Sequence, residues 1–178
     1  MSRKVRIGNL FIGGGEKIAV QSMTNTRTRD TEATSVQIKR LEEAGCDIVR
    51  CAVRNEEDAE AFETLVGITK MPLVADIHFD YRLAIAAMEN GAAKVRVNPG
   101  NLGEIENFGK VLDCAEANGC AVRIGVNGGS VNKSDRAETP DKEEAMLRSV
   151  ERYVKYAEGR GFYDLVLAAK SSSVRATV

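Results

Sequence analysis

Six short apolar runs, at 18–23, 47–53, 73–79, 94–98, 121–127 and 163–170, alternate with helix-length amphipathic stretches. Charged residues inside the runs keep largely to one parity. Successive side chains of a β-strand point to opposite faces, so a parity rule in the sequence is a face rule in a sheet. In the second run Val49, Cys51 and Val53 oppose Ile48, Arg50 and Ala52. In the fourth, Val95 and Val97 oppose Arg96 and Asn98, and in the fifth Val122, Ile124 and Val126 oppose Arg123, Gly125 and Asn127. In the sixth, Leu165, Leu167 and Ala169 oppose Val166, Ala168 and Lys170.

The intervening stretches carry helix signals. Asp30 or Thr31 starts one whose apolar positions include Ala33, Val36, Leu41 and Ala44, with Gly45 as its stop. Asn55 caps the next, where Ala59, Phe62 and Val66 share a face. Asp80 opens a helix that ends near Asn90-Gly91, and another carries Ile105, Phe108, Leu112 and Ala115 to Gly119. A long polar loop, 128–138, leads to Thr139-Pro140, which reads as cap and first helical residue of a helix presenting Leu147, Val150 and Val154. Strands alternating with helices at this spacing predict βαβ units and a parallel sheet.

Two architectures have this rhythm. An open, doubly wound sheet covers both faces with helices, so its central strands are apolar on both parities. A barrel covers only the outer face, and its interior opens at the top to solvent and ligand. An unpaired charge buried under a helix costs several kcal/mol. Gathering the charges at one mouth avoids that cost, so the barrel is the expected fold. A complete barrel has eight strands and typically about 250 residues, against 178 residues here. The expectation is therefore a TIM-barrel-type parallel (β/α) repeat over residues 1–178, truncated after about six strands, with the first and sixth as unpaired edges. Before it, Val5-Arg-Ile-Gly-Asn-Leu-Phe-Ile-Gly13 reads as a hairpin turning at Gly8-Asn9. Gly13-Gly14-Gly15 precedes a strand and lacks a following Lys-Ser/Thr, so it reads as a turn rather than a phosphate loop.

Composition narrows the function. A net charge of −1 gives no global basic surface for nucleic acid, and 5% aromatic residues without tryptophan argue against base-stacking platforms. No run is long and apolar enough for a membrane span, and Met-Ser-Arg-Lys-Val-Arg-Ile lacks the apolar core of a secretory signal, so a cytoplasmic location is expected. Cys46, Cys51, Cys114 and Cys120 are spaced C-x4-C and C-x5-C, unlike a zinc or redox C-x-x-C pair, and are expected to stay reduced as core residues.

By parity Arg50, Arg96, Arg123 and Lys170 point inward from four strands, and Asp76 and His78 of Val74-Ala-Asp-Ile-His-Phe79 from a fifth. Gln21, Thr24 and Asn25 close the first strand. Four cations around one carboxylate make an electropositive cup whose natural ligand is a multiply charged anion, and arginine offers paired donors to phosphate oxygens. Gly125 is read as leaving room for that ligand. The bland alternative gives each arginine a private ion pair or a path to solvent. Asp76 and His78 form a D-x-H pair, but with a single histidine in the chain no metal site is assigned. His78 is assigned to donate to an oxyanion or move a proton, and Asp76 to orient substrate or an arginine. Lys170 is either a further anion contact or the Schiff-base nucleophile of a class I aldolase-like barrel.

The blocks Val20-Gln-Ser-Met-Thr-Asn-Thr26, Asp47-Ile-Val-Arg50, Leu73-Val-Ala-Asp-Ile-His-Phe-Asp80, Val95-Arg-Val-Asn-Pro-Gly-Asn101 and Val122-Arg-Ile-Gly-Val-Asn127 resemble those of the 4-hydroxy-3-methylbut-2-enyl diphosphate synthases, reductases of the methylerythritol phosphate route to isoprenoids. The resemblance implies a TIM barrel followed by a smaller C-terminal domain whose three cysteines and a glutamate hold a [4Fe–4S] cluster. It also implies a homodimer in which one subunit's cluster domain caps its partner's barrel. The implied substrate is 2-C-methyl-D-erythritol 2,4-cyclodiphosphate, opened and dehydroxylated with two electrons from ferredoxin or flavodoxin. Carried over, the diphosphate-binding cations fall on Arg50, Arg96, Arg123 and Lys170, with Asp76, His78 and Asn127 beside them. The cluster domain is not among these residues, none of the four cysteines matches a cluster ligand, and the chain alone is expected to lack redox activity. A non-catalytic fragment that binds a partner through its open edges is the remaining alternative.

Overall fold

The computed structural model describes residues 2–127, 139 and 141–171. A hairpin, β1 (Val5–Ile7) and β2 (Leu10–Ile12), leads into β3 (Gln21–Met23), α1 (Thr31–Glu43), β4 (Ile48–Val53), α2 (Glu56–Val66) and β5 (Leu73–Ile77). Then come α3 (Tyr81–Glu89), β6 (Lys94–Val97), a 3-10 turn (Pro99–Asn101), α4 (Ile105–Asn118), β7 (Ala121–Asn127), α5 (Lys142–Gly159) and β8 (Leu165–Lys170). Strands β3 to β8 pair in chain order, all parallel, so β3 and β8 are the edges among the described residues. This is the curled half-barrel that the alternation predicts.

The parity rule holds in β4 to β7, whereas of Leu165, Leu167 and Ala169 in β8 only Leu165 reaches the core, and Leu167 is exposed. Val49, Cys51, Val53, Leu73, Ala75, Ile77, Val95, Val97, Val122, Ile124 and Val126 pack in one cluster with Ile38, Phe62, Leu65, Met88, Phe108, Leu112 and Tyr153 of the helices. The opposite parity forms a second, smaller cluster: Ile48, Val74 and Ala121 close on Val5 and Ile7 of the hairpin. The hairpin thus plugs the N-terminal end of the interior face, a role its sequence does not announce. Gly13-Gly14-Gly15 is a turn, all three residues having positive φ. A Cβ on Gly13 would stand 2.5 Å from the Arg3 carbonyl oxygen, so glycine is required there.

Helix starts follow their caps. Asp30, Asn55 and Asp80 each accept a hydrogen bond from the first turn behind them, at 3.1, 3.0 and 2.9 Å. The last helix departs from expectation. Asp141, not Thr139, is its cap, accepting from the amides of Glu143 at 2.9 Å and Glu144 at 3.2 Å. The Thr139 hydroxyl instead donates to the Glu144 carboxylate at 2.9 Å. Pro140 and the loop 128–138 lie outside the described residues. Leu147 is 62% exposed rather than core-facing, because Ala145, Met146, Ser149, Tyr153 and Ala157 form the buried stripe. Val36 and Val20 are likewise exposed, and the first strand of the sheet is correspondingly shorter than its apolar run. Among the described residues no helix is long and apolar enough to cross a membrane.

Ile7 is completely buried in the plug. Ile7→Ala is expected to lower stability by about 3 kcal/mol, read as a shifted denaturant midpoint at unchanged slope. A loss below about 1 kcal/mol would show that the hairpin does not fill the interior.

Candidate active site

Strands β4 to β7 carry the interior polar residues, and register brings them together. Ala52 pairs with Asp76, Asp76 with Arg96, and Arg96 with Arg123 across neighbouring strands. Asp76 is the buried centre, its side chain 6% exposed. Arg96 Nη1 donates to one carboxylate oxygen at 3.3 Å, while Arg50 Nε and His78 Nε2 stand 3.7 Å from the other. Arg50 also donates to the Met23 sulfur from Nε and Nη2, at 3.3 and 3.2 Å. Asn101, in the turn after β6, donates to the His78 carbonyl and fixes the backbone there.

Arg123 is different. Among the described residues it has no carboxylate within ion-pair distance. Burial, then the cations of Arg50 and Arg96, pull its pKa below the ordinary guanidinium range, with Asp76 acting weakly the other way. Lys170 closes β8 opposite Asn127, exposed at the edge. The expectation of four cations around one carboxylate is therefore corrected. Arg50 and Arg96 engage Asp76, while the side chains of Arg123 and Lys170 have no hydrogen bond or ion pair among the described residues.

Gly125 corrects a second expectation. It does not leave room for a ligand, because the Arg96 guanidinium lies against it. A Cβ there would meet Arg96 Nε at 2.6 Å, and Arg96 Nη2 donates to the Gly125 carbonyl at 3.2 Å. Glycine is what lets Arg96 lie flat across β7 and still reach Asp76. Sequence reasoning missed this contact, together with Met23, Asn101 and the buried Lys94.

The cysteines serve packing. Cys51 and Cys120 are buried, and Cys46 and Cys114 are half-buried, all as free thiols. Burial pushes the Cys51 thiol up to about 11 and that of Cys120 up to about 12, away from the thiolate that an iron–sulfur cluster requires. Among the described residues no group of three or more His, Cys, Asp or Glu could hold a metal ion. These residues do not fit the cluster that the resemblance implies.

The GcpE TIM-barrel domain model matches residues 2–178. The chain belongs to this GcpE family. Similar curated members include the 4-hydroxy-3-methylbut-2-en-1-yl diphosphate synthases (flavodoxin) of Desulfotalea psychrophila and Caldanaerobacter subterraneus subsp. tengcongensis. The first is 48% identical over 181 residues, covering 99% of this chain and 50% of that protein. The second is 50% identical over 182 residues, covering 100% of this chain and 50% of that protein. The chain spans about half the length of the curated relatives it matches. Among solved structures, a Xanthomonas albilineans dihydropteroate synthase superposes with a TM-score of 0.65 at 18% identity, over 94% of this chain and 64% of that one. A truncated 3-deoxy-D-arabino-heptulosonate 7-phosphate synthase from Thermotoga maritima gives 0.62 at 18%, over 93% and 55%. At these identities the likeness of this GcpE-family chain to either is one of fold alone.

The Gly125 contact generates a prediction. Gly125→Ala must swing the Arg96 guanidinium off the Gly125 carbonyl and away from Asp76. Loss of these charge-assisted contacts is expected to lower stability by about 2 kcal/mol, read as a shifted denaturant midpoint at unchanged slope. A loss below about 0.5 kcal/mol would show that the position of Arg96 is unimportant to the fold.

Proposed function

We propose that this chain is the diphosphate-holding half of a reductase site. The supporting observation is Arg123, half-buried beside two other arginines with no carboxylate of its own among the described residues. A guanidinium left uncompensated at the interior mouth favours an incoming anion, and arginine pairs match phosphate oxygens. The similar synthases are named for a diphosphate, which supports a diphosphate as that anion. The substrate is the cyclic diphosphate 2-C-methyl-D-erythritol 2,4-cyclodiphosphate, and the product is 4-hydroxy-3-methylbut-2-enyl diphosphate.

In this reading Arg50, Arg96, Arg123 and Lys170 hold the diphosphate, and Asn127 donates to it from the end of β7. Asp76 keeps Arg50 and Arg96 oriented and holds the neighbouring imidazole. His78, less buried than Asp76, supplies a proton to, or a hydrogen bond on, the oxygen that departs. Reduction would require two electrons, and a [4Fe–4S] cluster held by residues other than these, with flavodoxin or ferredoxin as donor, would be their source. In the family homodimer the cluster domain would reach the barrel from the partner subunit. The residues of this chain bind, orient and protonate. They do not carry electrons.

Arg123→Ala tests the assignment. It is expected to reduce pyrophosphate affinity about thirtyfold with little change in melting temperature, since the side chain has no internal partner to lose. Placed in a chimaera in which this chain replaces the matching half of the Desulfotalea psychrophila synthase, the same substitution is expected to abolish measurable turnover of the cyclodiphosphate. Unchanged affinity and turnover would overturn the assignment.

A further inference from the structure

Lys94 opens β6 and shares the interior face with Arg96, two residues on. It is 2% exposed and one of the largest fully buried side chains. Its register partners are Val74 on β5 and Ala121 on β7, both members of the apolar cluster sealed by the hairpin. One polar contact serves it: Nζ donates to Gln21 Oε1 of β3 at 3.4 Å, a long hydrogen bond. Among the described residues no carboxylate lies within ion-pair distance of the amine. The charged groups that face it are Arg50 from β4 and Arg123 from β7. Asp76 of β5 is already engaged by Arg50, Arg96 and His78. The hairpin contributes only apolar side chains, and Cys120, before β7, is a neutral thiol.

A buried amine beneath three guanidinium groups lacks a counter-charge until an anion enters above it. We propose that Lys94 is the proton-accepting floor of the cup, taking up one proton from solvent when an anion settles among Arg50, Arg96 and Arg123. The inference rests on the reading of the cup as an anion site and adds a pH dependence to it. The step is protonation of a neutral amine to an ammonium, with no bond formed to the ligand.

Burial first, then the cations of Arg123 and Arg50, lower the Lys94 pKa from 10.5 to about 8. The sign for stability follows. The unfolded chain holds this proton more tightly than the anion-free fold, so the contribution of Lys94 to stability rises with pH between about 8 and 10.5. A bound anion restores the amine's affinity for its proton. Anion affinity therefore falls with rising pH in the same window, by up to about tenfold per pH unit for one linked proton.

Sulfate is a suitable probe because it does not itself titrate in this range. Titration calorimetry of the 178-residue chain with sulfate, in two buffers of different ionisation enthalpy, reads the protons taken up per anion. Uptake is expected to approach one at about pH 9 and to be small at about pH 7. It is expected to vanish in Lys94→Met. It is also expected to vanish in Lys94→Arg, which retains a permanent charge and carries the test if the methionine variant does not fold. Sulfate binding without proton uptake at about pH 9, or uptake unchanged in both variants, would overturn the role of Lys94 while leaving the anion site in place. Failure of sulfate to bind at any pH would overturn both.

Discussion

Asp76 is outnumbered. Its carboxylate is buried at the interior mouth of the sheet and is shared by Arg50, Arg96 and His78, while Arg123 beside them and Lys94 beneath find no acid among the described residues. Desolvating an unpaired cation costs several kcal/mol. The arrangement leaves that cost partly unmet within the protein and places it where a ligand can meet it. The single carboxylate keeps two guanidinium groups oriented without neutralising the set.

The rest of the fold makes this charge excess tolerable. Helices cover the outer face of every central strand with one continuous apolar cluster, so the outward parity contributes stability and is free of charge. The hairpin closes the lower end of the inner face with Val5 and Ile7, leaving the upper end as the wet side. Between the two, Gly125 gives up a side chain so that the Arg96 guanidinium can lie across β7 and donate to both Asp76 and the Gly125 carbonyl. Asp58, nearly buried, accepts from the amides of Arg29 and Arg54 and so fastens the loops after β3 and β4 to each other.

Strand alternation is a local property, and so the interior set Arg50, Asp76, Arg96 and Arg123 was legible from parity alone. Helix starts at Asp30, Asn55 and Asp80 were legible for the same reason, each cap acting within one turn. What sequence could not supply depends on distances between strands. Parity placed Gly125 on the interior but could not tell that an arginine from the next strand would occupy its space. Lys94 shares the parity of Arg96 but drew no reading, because nothing local reveals that it is buried or that Gln21 is its one polar neighbour. At 139–141 three good starting residues compete, and Asp141 wins because a carboxylate can accept from two first-turn amides at once. The hairpin itself was legible from its turn, but nothing within it says what it packs against.

The central claim is that the interior of this half-barrel is built short of negative charge so that a diphosphate completes it. A crystal structure of the chain grown with pyrophosphate tests this most directly. The account predicts the anion between the guanidinium groups of Arg96 and Arg123, with Arg50 or Lys170 reaching its outer oxygens and Asp76 unmoved. Pyrophosphate bound elsewhere, or Arg123 turned onto a protein carboxylate with the cup empty, would contradict it.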